Sequence, residues 1–203
     1  MIASNPYDGE RVAGTVGFPL PGIELRVADP ETGAELRQGE IGVIELRGPN
    51  VFAGYWRKPE QTAEAFRADG FFITGDLSQI DERGYLHIVG RAKDVIIIGG
   101  FNVYPKEIEM EIDWLPGVRE SAVIGVPHPD FGETVTALVV LEAGARLDEA
   151  VAIQQLAEKL ARYKLPKRII AVDELPRNAM GKVQKNRLRD RLAAALLRPG
   201  PQK

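Results

Sequence analysis

The stretch at residues 90–102 constrains this chain most, and it reads GRAKDVIIIGGFN. Its centre, Val95–Ile98, is β-branched throughout and too short for a helix, which favours a buried strand. Glycines punctuate the run on both sides, Gly90 before it and Gly99–Gly100 after it. Charged residues precede the strand, and unpaired charges are costly to bury. We therefore predict a hinge before the strand and, after it, a loop that approaches another group closely.

The pattern of the chain changes at this hinge. Short alternating strands and glycine turns fill residues 14–48 and favour a small barrel or a curled sheet, and residues 49–90 are mixed. Helices and strands intermix in residues 91–203, which is typical of a compact α+β domain. The strand Tyr85–Val89 is expected to pair with the Val95–Ile98 run across the hinge. The sequence thus predicts two domains with the hinge at about residues 91–94.

Three helices are predicted in the second domain. The first spans Pro105–Leu115, where apolar residues recur at helical spacing. The second begins after Asp148, a typical N-cap residue, and runs to about Tyr163. A basic amphipathic helix from about Gln184 to Leu197 closes the pattern.

Composition excludes several classes of function. A net charge of −3 argues against nucleic acid or an anionic membrane as the main partner. The absence of cysteine excludes a thiolate metal site and a cysteine nucleophile, and the two histidines, His87 and His128, lie far apart, so no metal site is predicted. No apolar run approaches the ~18 residues of a membrane span. The N-terminus does not have the pattern of a signal peptide, so a cytoplasmic location is expected.

Three features are candidates for chemistry, and each also has an ordinary interpretation. Asp76 follows a strand that begins at Phe72, and a carboxylate there could accept both hydroxyls of a ribose or simply cap a turn. Lys182 follows a glycine in a loop, where its ammonium could neutralise developing negative charge or remain solvated. The Gly99–Gly100 pair could let the backbone approach a slender ligand or form a hairpin turn. Taken singly, none of the three decides between its interpretations.

The order of four motifs resembles that of the adenylate-forming enzymes, which include acyl-CoA synthetases, aryl-CoA ligases, firefly-type luciferases and peptide-synthetase adenylation domains. The motifs are GEIG to GYW at 39–56, FITGD at 72–76, GRAKD to PKEIE at 90–109 and LPRNAMGK at 175–182. Within the family, residues 4–9 and 176–186 look most like malonyl-CoA synthetases.

The resemblance implies a fold and a set of roles. Residues 1–90 would be the C-terminal β-rich part of the large AMP-binding domain, and residues 91–203 the small α+β domain. Asp76 would hold the ribose of ATP, and Arg91 would also contact the nucleotide. Lys93 occupies the hinge position, and Gly99–Gly100, above all Gly100, matches the loop along the pantetheine tunnel of coenzyme A. Lys182 matches the lysine that assists adenylate formation.

The implied reaction is ATP-dependent acyl-CoA synthesis from a small carboxylic acid through acyl-AMP. The local likeness suggests malonate or a related short-chain dicarboxylate, with ATP, CoA and Mg²⁺ as cofactors. The family's phosphate loop, acyl pocket and magnesium ligands lie upstream of the motifs found here. The chain is therefore expected to be a C-terminal portion, inactive without the missing N-terminal large domain. Two alternatives stay open, a non-enzymatic partner-binding module and a carrier-protein-loading adenylation domain.

Overall fold

The computed structural model describes residues 1–196, with side chains as far as residue 192. The chain divides into two compact units, the first Met1–Lys93 and the second beginning at Asp94. A 3-10 turn, Ala92–Asp94, carries the chain from one unit to the next. Within the described residues, no helix is long and apolar enough to cross a membrane.

The first unit is built mainly of antiparallel strands. Its elements are β1 (Ala3–Ser4), β2 (Phe18–Pro19), β3 (Glu24–Ala28), β4 (Gly42–Arg47), a short helix α1 (Pro59–Ala65), β5 (Phe72–Ile80) and β6 (Leu86–Arg91). The last four strands form one open sheet in the order β3-β4-β5-β6, and β1 pairs with β2 separately. The core of this unit is a small apolar cluster that includes Val27, Ile44, Leu46 and Leu86.

The second unit combines a mixed sheet with three helices. Its elements are β7 (Ile96–Ile98), β8 (Phe101–Val103), α2 (Pro105–Asp113), β9 (Val118–His128), β10 (Gly132–Leu141), α3 (Glu149–Ala157), β11 (Arg168–Ala171) and α4 (Lys185–Leu196). Strand β10 pairs antiparallel with β9 and parallel with β11. The β7–β8 hairpin joins the sheet at the start of β10, where Ile98 pairs with Gly132.

Apolar residues cover both faces of this sheet, because side chains alternate between the faces along a strand. One face packs against α2 and α3, in a core that includes Ile108, Ile112 and Leu156; we call it the α2/α3 core. The other face packs against α4, in a core that includes Ile124 and Leu188; we call it the α4 core. Burying each of these large side chains stabilises the fold by about 1.5–3 kcal/mol.

The mixed helix-and-strand fold is confirmed, and the first helix lies where its apolar spacing placed it. Asp148 is an N-cap as predicted, and its carboxylate accepts the N–H groups of Ala150 and Val151. The predicted extension of this helix to Tyr163 is wrong: α3 ends at Ala157, and the chain makes a 3-10 turn at Arg162–Lys164.

The strand-pairing prediction was also wrong. Strand β6 pairs with β5, whereas β7 pairs with β8 and β10, so the predicted partners belong to different sheets. The β-branched run is not uniformly buried either, since Ile96 is fully buried while Ile97 is 53% exposed. The run lies near the end of a sheet, where only one of its faces meets a core.

Candidate functional site

Asp76 lies in a bulge of β5, not at the end of a strand as predicted. Val43 pairs with Leu77 and Glu45 with Ile73, so residues 74–76 stand opposite the single residue Ile44. The hydroxyl of Thr74 donates to the Ile44 carbonyl at 2.9 Å and accepts the Asp76 N–H at 3.0 Å. Gly75 adopts a φ of +72°, which favours glycine. A bulge changes the direction of a side chain relative to a regular strand, and this one sets the direction of the Asp76 carboxylate.

Asp76 and Arg91 form a pair across the β5–β6 hairpin. They are register partners, and Nε of Arg91 lies 2.6 Å from Oδ1 of Asp76. The carboxylate is 31% exposed and the guanidinium side chain 48% exposed, so a ligand could reach both. A carboxylate held by one oxygen in this way can still accept hydroxyl groups at its other oxygen.

The turn of this hairpin is closed by Asp81. Its carboxylate accepts the N–H groups of Arg83 at 3.0 Å and Tyr85 at 2.8 Å and lies 3.0 Å from His87 Nε2. The hydrogen bond with His87 is the main reason that the pKa of Asp81 is lowered, and the two backbone donors act in the same direction. His87 is thus a structural partner of the turn that sets β6 against β5.

The Gly99–Gly100 pair forms the two-residue turn of the β7–β8 hairpin. Both residues have positive φ, +55° and +86°, as a type I′ turn requires. An added Cβ at either position would meet nothing within 4 Å, so glycine is needed here for its backbone angle rather than for space. The Gly99 N–H donates to the carbonyl of Phe131 at 3.0 Å, which holds the turn against the loop before β10.

A cleft of about 550 Å³ opens beside this turn. Its walls include Gly99, Phe101, Phe131 and Tyr163, and the basic side chains of Arg162 and Lys167 line it too. The rings of Phe101 and Tyr163 lie 5.1 Å apart at an angle of 31°. Exposed aromatic faces beside cations suit a flat ring that carries negatively charged groups.

Sequence reasoning missed most of this cleft. Tyr163 had been placed at the end of a helix, and Arg162 and Lys167 had no motif to mark them. The signal that could have found them is the cluster of basic and aromatic residues after a helix. Only folding brings that cluster to the glycine turn.

Lys182 stands on a tight turn held by Asn178. The Asn178 side-chain oxygen accepts the N–H groups of Met180 at 3.0 Å and Lys182 at 2.9 Å. Gly181 has a φ of +78°, which lets the chain reverse just before the lysine. Arg177 donates to the Gly181 carbonyl at 2.7 Å and pairs with Glu120 of β9. The lysine side chain is exposed, although the backbone that carries it is fixed.

The glycine turn and the lysine turn are rooted in different cores. Ile98, next to the glycine turn, packs with the α2/α3 core. Leu175 and Val183, on the two sides of the lysine turn, belong to the α4 core. Since these cores lie on opposite faces of the sheet, one unit carries two separate candidate features. Lys93, the predicted hinge residue, is exposed and is the last residue of the first unit.

Comparison with known proteins identifies the family. Residues 1–56 match the model of the AMP-binding enzymes, and residues 107–182 match that of the AMP-binding enzyme C-terminal domain. The putative acyl–CoA ligase YdaB of Bacillus subtilis is 45% identical over 91% of this chain and 36% of its own length. The malonate–CoA ligase of Arabidopsis thaliana is 42% identical over 95% of this chain and 33% of its own length.

A solved structure gives the same result at higher identity. The crystal structure of ATP-bound MatB from Rhodopseudomonas palustris is 66% identical, with a TM-score of 0.90 over 94% of this chain and 38% of that chain. The chain thus spans about a third of the length of the curated relatives it matches. From the matched models, the relatives and the fold together, the chain belongs to the AMP-binding enzymes and corresponds to the C-terminal region of their fold.

Proposed function

We propose that this chain serves ATP-dependent synthesis of an acyl-CoA, through an acyl-AMP intermediate, together with upstream residues such as its relatives carry. The observation that carries the proposal is the fixed turn that presents the exposed ammonium of Lys182. The likeness of the chain to the ATP-bound MatB structure supports a nucleotide ligand. We further propose malonate or a related short-chain dicarboxylate as the acid, because malonate–CoA ligase is among the relatives.

The first step joins the acid to the α-phosphate of ATP and releases pyrophosphate. Negative charge from the carboxylate and the phosphates crowds that transition state, and a positioned ammonium stabilises it. We assign this role to Lys182. We assign the ribose hydroxyls to Asp76, whose carboxylate Arg91 holds at 2.6 Å. We place the protein ligands of Mg²⁺ upstream, where the resemblance to the adenylate-forming enzymes puts them.

In the second step the thiol of coenzyme A attacks the acyl-AMP carbonyl, the thioester bond forms, and AMP leaves. We assign the pantetheine arm to the Gly99–Gly100 turn and the nucleotide end of coenzyme A to the cleft beside it. The exposed, mutually tilted rings of Phe101 and Tyr163 suit an adenine, and Arg162 and Lys167 suit its phosphates.

Adenylation and thioester formation occur at the same acyl group, but each step needs different protein groups around it. The lysine turn and the glycine turn are rooted in opposite faces of the sheet, which supports assigning them to different steps. We therefore propose that the second unit rotates between the steps, with Lys93 as the hinge residue. Motions of this kind commonly assemble a catalytic site in stages.

ATP–pyrophosphate exchange tests the proposal. The 203-residue chain is compared with a fusion in which it replaces the region it matches in Rhodopseudomonas palustris MatB. Intact MatB is the positive control, and the acids are malonate, methylmalonate, acetate and a medium-chain acid. We expect exchange by the fusion and none by the chain alone. The acyl pocket of the family lies upstream, so the fusion takes its acid preference from MatB. The acid proposed here is therefore tested in an enzyme that joins this chain to its own upstream residues.

Two results would contradict the proposal. A folded fusion without exchange for any acid would exclude the assigned role in adenylation. Exchange by the chain alone would show that upstream residues are not needed. Replacing coenzyme A by an acyl carrier protein in the second step then tests the acceptor, and faster transfer to the carrier would favour a carrier-loading enzyme.

A further inference from the structure

A buried ion pair lies at the beginning of the last helix. Nζ of Lys185, the first residue of α4, is 2.5 Å from Oε1 of Glu109 on α2. The same carboxylate oxygen accepts the N–H of Val123 in β9 at 2.9 Å. The side chains of Glu109 and Lys185 are 10% and 17% exposed, which makes theirs the least exposed ion pair among the second unit's described side chains.

This pair lies at the base of the lysine turn. Residues 177 and 183 form an antiparallel bridge, and the Gln184 N–H donates to the Pro176 carbonyl at 2.7 Å. The turn therefore closes just before Lys185, so Lys185 directly follows its last backbone hydrogen bond. Lys182 lies three residues before Lys185. The two residues between them are both held by backbone pairing, Val183 with Arg177 and Gln184 with Pro176.

A second pair holds the same helix one turn further on. Arg189 lies 3.2 Å from Oδ1 of Asp94, the first residue of the second unit. Helix α4 is thus tied both to α2 and to the segment that follows the predicted hinge residue, Lys93. This pair therefore connects the hinge segment to the helix that begins directly after the lysine turn.

We propose that Lys185 and Glu109 are positioning residues for Lys182, and that the Arg189–Asp94 pair couples this position to the hinge segment. An exposed pair would be a weak positioning device, because water screens it. A buried pair fixes geometry more firmly, since removing one partner leaves the other charged and buried. The catalytic part of this inference rests on the proposed function, since it requires that Lys182 serves adenylation.

The first test separates the two half-reactions in the fusion with MatB. Lys185→Met removes the charge but keeps an apolar stem of similar length. We expect adenylation to fall about 100-fold, the size of effect that a misplaced catalytic group produces. Thioester formation from a supplied acyl-adenylate should not change. Lys185→Arg should restore most of the lost rate, because it retains the charge and the reach to Glu109.

A double-mutant cycle and a matched control sharpen this test. Glu109→Gln keeps an acceptor for Val123, so its loss of adenylation should match that of Lys185→Met, and the double variant should lose little more. Lys159→Met is the control, because it breaks an ion pair with Glu111, which also lies on α2. The Lys159 side chain is 56% exposed, so this pair is screened by water. That variant should keep the full rate of both half-reactions.

The second test does not depend on activity. In the 203-residue chain, amide hydrogen exchange of Lys182 and Gln184 should quicken about 10-fold in Lys185→Met, while amides in β9 and β10 keep their rates. Two results with Lys185→Met would overturn the positioning role: unchanged amide hydrogen exchange at Lys182 and Gln184, or equal losses of rate in the two half-reactions. If the unsubstituted fusion lacks ATP–pyrophosphate exchange, the proposed function fails. The amide hydrogen exchange result still decides whether Lys185 positions the turn.

Discussion

Nε of Arg91 lies 2.6 Å from Oδ1 of Asp76, and the two residues are direct partners across β5 and β6. The bulge at residues 74–76 turns the carboxylate toward its partner, and the Asp81 turn fixes the register of the hairpin. A pair this exposed adds little to stability. Its value is geometric, because the guanidinium holds one carboxylate oxygen while the other can still accept hydrogen bonds.

Asp76→Ala in the fusion is expected to raise the KM for ATP about 10- to 100-fold, because hydrogen bonds to a charged group contribute about 1.5–3 kcal/mol. The measurement is the ATP dependence of pyrophosphate exchange. Glu10→Ala is the matched control, since it breaks another exposed pair, with Arg83, in the same unit. An unchanged KM for ATP in the Asp76 variant would rule out the ribose assignment.

Lys182→Ala is expected to slow adenylation by about 100-fold or more, as the loss of one preorganised donor in a transition state does. Thioester formation from a supplied acyl-adenylate should be affected much less, because the role proposed for the ammonium belongs to the first step alone. Lys106→Ala, an exposed lysine on α2, should leave both rates unchanged. Equal losses in the two half-reactions of the Lys182 variant would exclude the assignment.

Gly100→Ala should act on the opposite step. A φ of +86° is strained for alanine, at a cost of about 1–2 kcal/mol, so the turn should shift. We expect slower thioester formation and a higher KM for coenzyme A, with pyrophosphate exchange preserved. Gly144→Ala introduces the same strain at φ +79°, in the turn after β10, and should lower stability without changing either half-reaction.

Acid should loosen the hairpin that carries Asp76 and Arg91. The pKa of Asp81 is lowered in the folded protein, so its contribution is present above the ordinary aspartate pKa and is lost as pH falls through the folded value. His87→Ala should move the Asp81 pKa back up and shift this loss to higher pH. Carboxyl carbon shifts measured by NMR between about pH 2 and 6 check the sign. An unmoved Asp81 titration would show that His87 is not the main cause.

Replacing Glu45 tests what stabilises the first unit. Its carboxylate is fully buried and joins Arg26 at 2.7 Å and Arg67 at 2.7 Å. Glu45→Ala should lower the free energy of unfolding by about 3 kcal/mol, the lower end for a broken buried pair, because both arginines retain some solvent access. Urea denaturation measures it, and Glu24→Ala, which breaks an exposed pair with Arg47, should cost much less, because water screens that pair.

Some features of this protein were set locally and could be predicted from the sequence. The first helix of the second unit follows from the spacing of Ile108 and Ile112, and Asp148 caps α3 because its short carboxylate reaches nearby N–H groups. The glycine pair forms a two-residue turn because its angles suit no other residue as well. Each of these depends on residues within a few positions of one another.

Other features depend on residues far apart in the chain. The run at Ile96–Ile98 joined β8 and β10 rather than β6, and the bulge that aims Asp76 exists only because β4 and β6 flank β5. Periodicity along a strand indicates which face is buried, but not which strand will lie beside it. Pairing is decided by the packing of all the strands and helices together.

The sequence by itself determined the family, the catalytic candidate Lys182 and the positions of most elements, because short motifs and local periodicity carry that information. Only the tertiary structure brought Tyr163 to the glycine turn and Glu109 to Lys185. Neither residue stands in a pattern that marks its partner. The physical reason is that a buried charge or an exposed ring acquires its role from its surroundings, and those surroundings are assembled from distant parts of the chain.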